Sequence, residues 1–213
     1  MNNHHILIVP IIFIFVLLSS CSQVEYKPTT FDEKDGHFKN YKDNYSFQLS
    51  KDYTQPKVDD IKDTKARKII LNWQKKGFDI LYNERHWILI ALQSKPATSN
   101  RSIKSLIREI DERKEDLSWI FNKSAKGKVE HIERREDFFI IESQYKSGSL
   151  IIKTGTALTA YSQGIREGNQ FFFVGIFSRK GSWGRAKADL QYLIDSIKFL
   201  PYSKEERVLV KRN

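Results

Sequence analysis

The side chains that could do chemistry are few and scattered along the chain. Cysteine occurs once, as Cys21, so neither an intrachain disulfide nor a four-cysteine zinc site can form. Of the five histidines, His4 and His5 stand at the start, leaving His37, His86 and His131 further on. None falls in an HxH, HxxxH or HExxH pattern, so no helical metal signature is present. An isolated imidazole is ordinarily a surface or partly buried group. The stretch Gly181-Ser182-Trp183-Gly184 lacks the spacing of a serine-nucleophile elbow, and neither GxGxxG nor GxxxxGK occurs. Asp111, Glu112, Glu115 and Asp116 alternate with Arg113 and Lys114, which marks a solvated helix face rather than an acid/base pair. Glu142 lies within an apolar run, where a carboxylate either faces water or is held for a role. The expectation is a protein without enzymatic activity, cofactor or metal. An enzyme would need a pocket uniting residues such as Glu142 and His131.

Positive charge is the quantity in excess. Lys and Arg number 36 against 26 for Asp and Glu, a formal net charge of +10 over 213 residues. Cations cluster at Arg101, Lys104 and Arg108, at Lys123, Lys126 and Lys128, and at Arg179, Lys180, Arg185 and Lys187. Such a face can engage anionic lipid or envelope polymer, at about 1 kcal/mol for each well-placed Lys or Arg. Charge spread over all faces for solubility accounts for the same excess. Nucleic acid is not expected as a partner, because no recognition motif accompanies the charge and the amino-terminal segment points to export.

That segment is an address. Ile6 to Leu18 is an apolar run of 13 residues, shorter than the roughly 20 that span a bilayer and suited to a signal-peptide core. It ends in Leu18-Ser19-Ser20-Cys21, which resembles the lipobox of bacterial lipoproteins. The resemblance implies cleavage before Cys21, a diacylglyceryl group on its thiol and an acylated amino terminus. Acyl chains on Cys21 would hold the protein stably on a membrane. It departs from the usual pattern in having no Lys or Arg before the apolar run. The alternative is a plain secretory peptide followed by an incidental cysteine. Ser22 after the cysteine resembles the outer-membrane address of enteric sorting. The location expected is the cell or outer membrane, lipid-anchored and outside the cytoplasm.

The remaining elements follow from periodicity. Residues 21–40 read as the lipidated cysteine and a polar tether. Tyr45, Phe47 and Leu49 alternate with polar neighbours as a strand. Residues 60–76 settle on no period. Phe78, Ile80 and Tyr82 alternate again, and the run from His86 to Leu92 predicts a buried hairpin partner. A helix is predicted over 102–121, with Ile103, Leu106, Ile107 and Ile110 on one stripe. Strands follow over 138–145, 150–161 and 171–177, joined by short loops that favour antiparallel neighbours. Phe171-Phe172-Phe173 fits a central strand covered on both faces. A second helix carries Trp183, Ala186, Leu190, Leu193, Ile194 and Ile197. The sum is a single α+β domain over 41–200, an antiparallel sheet packed against two amphipathic helices, with a charged tail over 201–213.

Two stretches and the element order add a resemblance. Tyr45-Ser46-Phe47-Gln48-Leu49-Ser50-Lys51-Asp52-Tyr53 resembles the first strand and turn of PsbP-like domains, and Leu193-Ile194-Asp195-Ser196-Ile197-Lys198-Phe199 is similar to their closing helix. Ser50 and Tyr53 depart from the Pro and Trp common there. The resemblance implies a mainly noncatalytic role as adaptor, assembly factor or extrinsic subunit. The expectation is therefore a membrane-tethered binding module with an envelope protein partner, or a basic module for anionic lipid or polymer.

Overall fold

The computed structural model describes residues 30–40, 43–97, 102–113, 127–135, 137–147, 150–161 and 169–199. Cys21 and the leader before it, Arg101, Lys123, Lys126, residues 114–121 of the expected helix and the 201–213 tail lie outside them.

Alternating apolar residues build two antiparallel sheets. The smaller contains β1 (Thr30–Asp32), β2 (His37–Asn40), β3 (Tyr45–Gln48) and β10 (Lys198–Phe199), in that order. The larger contains β4 (Asp79–Asn83), β5 (Ile88–Pro96), β6 (Gly127–Arg135), β7 (Phe138–Ser147), β8 (Leu150–Tyr161) and β9 (Gln170–Arg179), ordered β4-β5-β9-β8-β7-β6. Three helices pack on it: α1 (Thr64–Lys75), α2 (Ile103–Arg113) and α3 (Trp183–Ser196). The fold is thus a mixed α+β single domain. No helix of the described residues is long and apolar enough to cross a membrane.

Each face of the large sheet has its own cover. Ile90, Phe172, Val174, Ile176 and Ile140 pack with Leu190 and Leu193 of α3 and with Phe38, Tyr45 and Phe47 of the small sheet. The opposite face buries Ala66 and Ile70 of α1 against Ile80 and Leu89, and Leu106 and Ile110 of α2 against Phe139, Leu158 and Phe173. Phe172 and Phe173 therefore point to opposite cores, as a covered central strand requires. Burying Leu106 and Ile110 contributes about 3–6 kcal/mol. The exposed Arg108–Glu112 pair at 3.7 Å adds only about 0.3 kcal/mol, so packing places α2.

The structure corrects the sequence reading in four places. Residues 30–40, read as tether, contain β1 and β2; β1 pairs with β2, and β2 with β3. Gly36 closes their hairpin at φ 73°, where an added Cβ would stand 2.0 Å from the Leu49 carbonyl oxygen. The unassigned 60–76 stretch contains α1, so the described residues hold three α-helices where two were expected. Asp63 caps α1, accepting from the Lys65 and Ala66 amides at 2.9 Å. Gly77, at φ 79°, ends it. The Phe78 amide bonds the Trp73 carbonyl and the Gly77 amide the Gln74 carbonyl, while Phe78 packs on Trp73 with ring centroids 4.5 Å apart, a Schellman motif. Residues 127–135 form β6, with a register shift between Val129 and His131. Finally, the described residues form two sheets where one was expected.

Candidate functional site

A cleft of about 450 Å³ opens where β7 begins and β8 ends. Ile103 and Ile107 of α2 form one wall; Ile194 of α3, Ile197 and Phe199 of β10 form the other. Phe138, Thr159, Ala160 and Tyr161 make the floor, and Asp137 and Asp195 stand on the rim. Ala160 belongs to the α2 face of the sheet and Tyr161 to the α3 face, so the cleft reaches round the sheet's end between the two helices. Pleating produces this arrangement, because neighbours along β8 point to opposite faces.

The floor is fixed by aromatic packing and a hydroxyl chain. Tyr161 stacks on Phe199 with centroids 4.2 Å apart, and Phe199 meets Phe172 edge-on at 5.4 Å. The Tyr161 hydroxyl donates to the Asp43 carbonyl at 3.1 Å. Its one hydrogen thus used, it accepts from Ser94, whose oxygen is 2.8 Å away. Asp195 on the rim pairs with Arg135 at 3.0 Å, whereas Asp137 is exposed. Aliphatic and aromatic side chains make up most of the lining, yet the cleft's accessible surface is more polar than apolar, and its two carboxylates are opposite in sign to the chain's net +10. Such a lining suits a mixed segment in which a cation accompanies apolar side chains.

A separate polar cluster ties α3 to the chain around it. Tyr53 donates to Asp189 at 2.7 Å. Arg185 bonds Asp52 and lies 3.8 Å from Asp189. Arg185 also approaches the His86 Nε2 at 3.2 Å; a guanidinium only donates, so that nitrogen accepts. Burial raises the Asp189 carboxyl, against the opposing pull of Tyr53 and Arg185. Burial and then Asp189 push the Tyr53 hydroxyl well above its ordinary range. Nearby, Arg179 bonds Asp63 at 2.8 Å and lies 5.0 Å over the Trp87 ring. The Ala66 amide chiefly holds the Asp63 carboxyl low, with Lys65, Trp87 and Arg179 adding to it against burial. The Trp87 indole N–H favours that charge from outside hydrogen-bonding geometry. Burial drives the Tyr82 hydroxyl up to about 12, with Asp63 adding to the shift.

The residues singled out in the sequence are dispersed by the fold. His131 and Glu142 are register partners across β6 and β7, but neither lines the cleft. Glu142 takes Lys187 at 2.6 Å and His131 faces Glu133 at 3.9 Å. His37 is exposed on β2. Among the described residues, no group of three or more His, Cys, Asp or Glu could hold a metal ion. Of the basic clusters, Arg179, Arg185 and Lys187 each face a carboxylate. Lys104 and Arg108 are exposed on α2, Lys180 is exposed before α3, and Lys128 lies in β6. The cleft residues escaped the sequence reading as a set. Only the i,i+4 spacing of Arg185 and Asp189 advertised the polar cluster.

No protein-family model matches the chain, and no curated protein matches it. Among solved structures, LpqN, described as involved in cell envelope biogenesis of Mycobacterium tuberculosis, is similar over 74% of this chain and 83% of that one. Its TM-score is 0.45 and its identity 4%. Likeness at that level carries no argument about this chain's role.

Proposed function

We propose that this protein is a noncatalytic binding or assembly module of the cell envelope, exported and anchored by acyl chains on Cys21, which grips an envelope protein partner through the cleft between α2 and α3. The cleft carries the reading: a concavity of about 450 Å³ in which Ile103, Ile107, Ile197 and Phe199 stand beside the carboxylates of Asp137 and Asp195. Leu18-Ser19-Ser20-Cys21 supports the anchor, and the PsbP-like stretches at 45–53 and 193–199 support the adaptor role. The ion pairs of Arg179, Arg185 and Lys187 support a structural use of those cations. In the test, the full lipidated protein is crosslinked in its own cells beside Asp137→Lys and Ile197→Glu variants. A stoichiometric partner recovered with the wild type and lost from both variants is the expected result; equal recovery overturns the reading.

A second reading, a basic module for anionic lipid or envelope polymer, is favoured by one observation. Lys104 and Arg108 both lie exposed on the outer side of α2. It requires binding that weakens steeply with salt.

A further inference from the structure

One helix carries positive charge with no negative charge along its length. Thr64 to Lys76 holds Lys65, Arg67, Lys68, Lys75 and Lys76 and neither Asp nor Glu. α1 packs Ala66, Ile69, Ile70 and Trp73 on the sheet, so helical spacing puts Thr64, Lys68, Leu71 and Lys75 on its outermost ridge. All four are exposed. Leu71 and Tyr192 are the large apolar side chains left exposed among the described residues. Leu71 stands between Lys68 and Lys75, which are about 10 Å apart along the axis. Lys65, Lys68, Lys75 and Lys76 enter no ion pair among the described residues; Lys76 lies 5.7 Å over the Trp73 ring. Carboxylates come only before and after the helix: Asp59, Asp60 and Asp63, the last held by Arg179, and Asp79, which accepts from Asn40 at 3.0 Å. On the sheet's other side, the α3 cations Arg185 and Lys187 face Asp52 and Glu142. α2 packs on the same side as α1 and adds exposed Lys104 and Arg108, the latter against Glu112. The unpaired positive charge is thus gathered on one side of the large sheet, with α1 at its centre.

We propose that the ridge of Lys68, Leu71 and Lys75 is the face this protein lays on a bilayer bearing anionic phospholipid, with the lysines at the phosphates and Leu71 entering between the headgroups. The inference rests on the lipid form of the second reading, to which it gives a surface, and does not involve the cleft. Because the apolar stripe of α1 is covered by the sheet, attachment here is electrostatic with a single apolar contact, unlike an amphipathic helix that buries a whole face in the bilayer. Each lysine close to an anionic surface strengthens binding about fivefold, and salt screens it. Contacts of that strength orient a domain already held at the membrane by acyl chains, since tethering makes the second contact intramolecular.

The test places a photoreactive benzoylphenylalanine at position 71 of the full lipidated chain, reconstituted in phosphatidylcholine vesicles with or without phosphatidylglycerol, and reads lipid adducts by mass spectrometry. Exposed position 72 serves as a second site should the first variant misfold. Position 112 on α2 and position 192 on α3 give the comparison. With phosphatidylglycerol present, adducts at 71 should exceed those at 192 by about tenfold or more. They should fall about twentyfold when Lys68→Glu and Lys75→Glu are combined, at an unchanged melting temperature, and about fivefold or more in high salt. Equal adducts at 71 with and without phosphatidylglycerol would show proximity through the acyl chains alone and overturn the assignment. Adducts confined to 112 or 192 would also overturn it, while leaving the lipid reading standing. Adducts at none of these positions would remove both.

Discussion

The rings of Tyr161 and Phe199 stack 4.2 Å apart at 19°, joining the last residue of β8 to the short strand that follows α3. That contact fixes the cleft's floor against its wall. It also makes the order of β10 a condition for the cleft. Phe199→Ala removes this stack and the edge contact to Phe172. Because Phe199 is only partly buried, the loss expected is about 2–3 kcal/mol, read as a lower urea midpoint at unchanged slope.

Tyr53→Phe tests the cluster that seats α3. The buried Asp189 carboxyl loses its 2.7 Å donor, so about 1–2 kcal/mol should be lost at neutral pH. Burial holds the Asp189 pKa above its unfolded value, so its ionisation costs stability as pH rises through the folded value. Removing the hydroxyl raises that cost. The difference between variant and wild type should shrink below about pH 4, where Asp189 is protonated in both states. Urea titrations at acid and neutral pH check this.

Asp63 behaves with the opposite sign. Its folded pKa is depressed, so it contributes stability above the ordinary carboxylate range and loses it as pH falls through the folded value. Asp63→Ala should cost about 1 kcal/mol at neutral pH through the lost cap of α1. Asp63→Asn keeps the acceptor, and its deficit should fade in acid. Thermal melts of both variants across pH provide the comparison.

Gly36→Ala should destabilise more than any exposed-loop substitution, because φ is 73° and the new Cβ meets the Leu49 carbonyl oxygen at 2.0 Å. More than 1 kcal/mol is expected. A melting temperature equal to wild type would mean that the β1–β2 hairpin contributes nothing to the fold.

Much of this fold was legible where burial is one-sided and long. Ala186, Leu190, Leu193 and Ile194 of α3 are all buried, and their spacing says so directly. Tyr45, Phe47 and Leu49 are buried while Gln48 is exposed. Where signals are short or interrupted, the sequence misleads. β1 and β2 run only three and four residues, too few for alternation to register. The stripe of α1 rests on Ala66, Ile69, Ile70 and Trp73, with Leu71 turned outward at 39% exposure. In β6, the register shift between Val129 and His131 breaks the period of two. The cleft was illegible for a topological reason. Its walls come from residues as far apart as Ile103 and Phe199, brought together only when the ends of β8 and α3 meet.

The basic-module reading makes its own demand. Replacing Lys104 and Arg108 by Glu reverses two exposed charges on α2 and should leave folding within about 0.5 kcal/mol of wild type. If anionic lipid is the ligand, sedimentation with phosphatidylglycerol vesicles should fall at least tenfold in this double variant. Unchanged sedimentation would leave the cleft as the better account.

The central claim is that the cleft between α2 and α3 is where this protein meets its partner. The most direct measurement compares crosslinked partner recovered from membranes by wild type and by Asp137→Lys, whose exposed position carries little folding cost. A drop of tenfold or more, with an unchanged melting temperature, is the expected result. The same partner recovered in the same amount would contradict it.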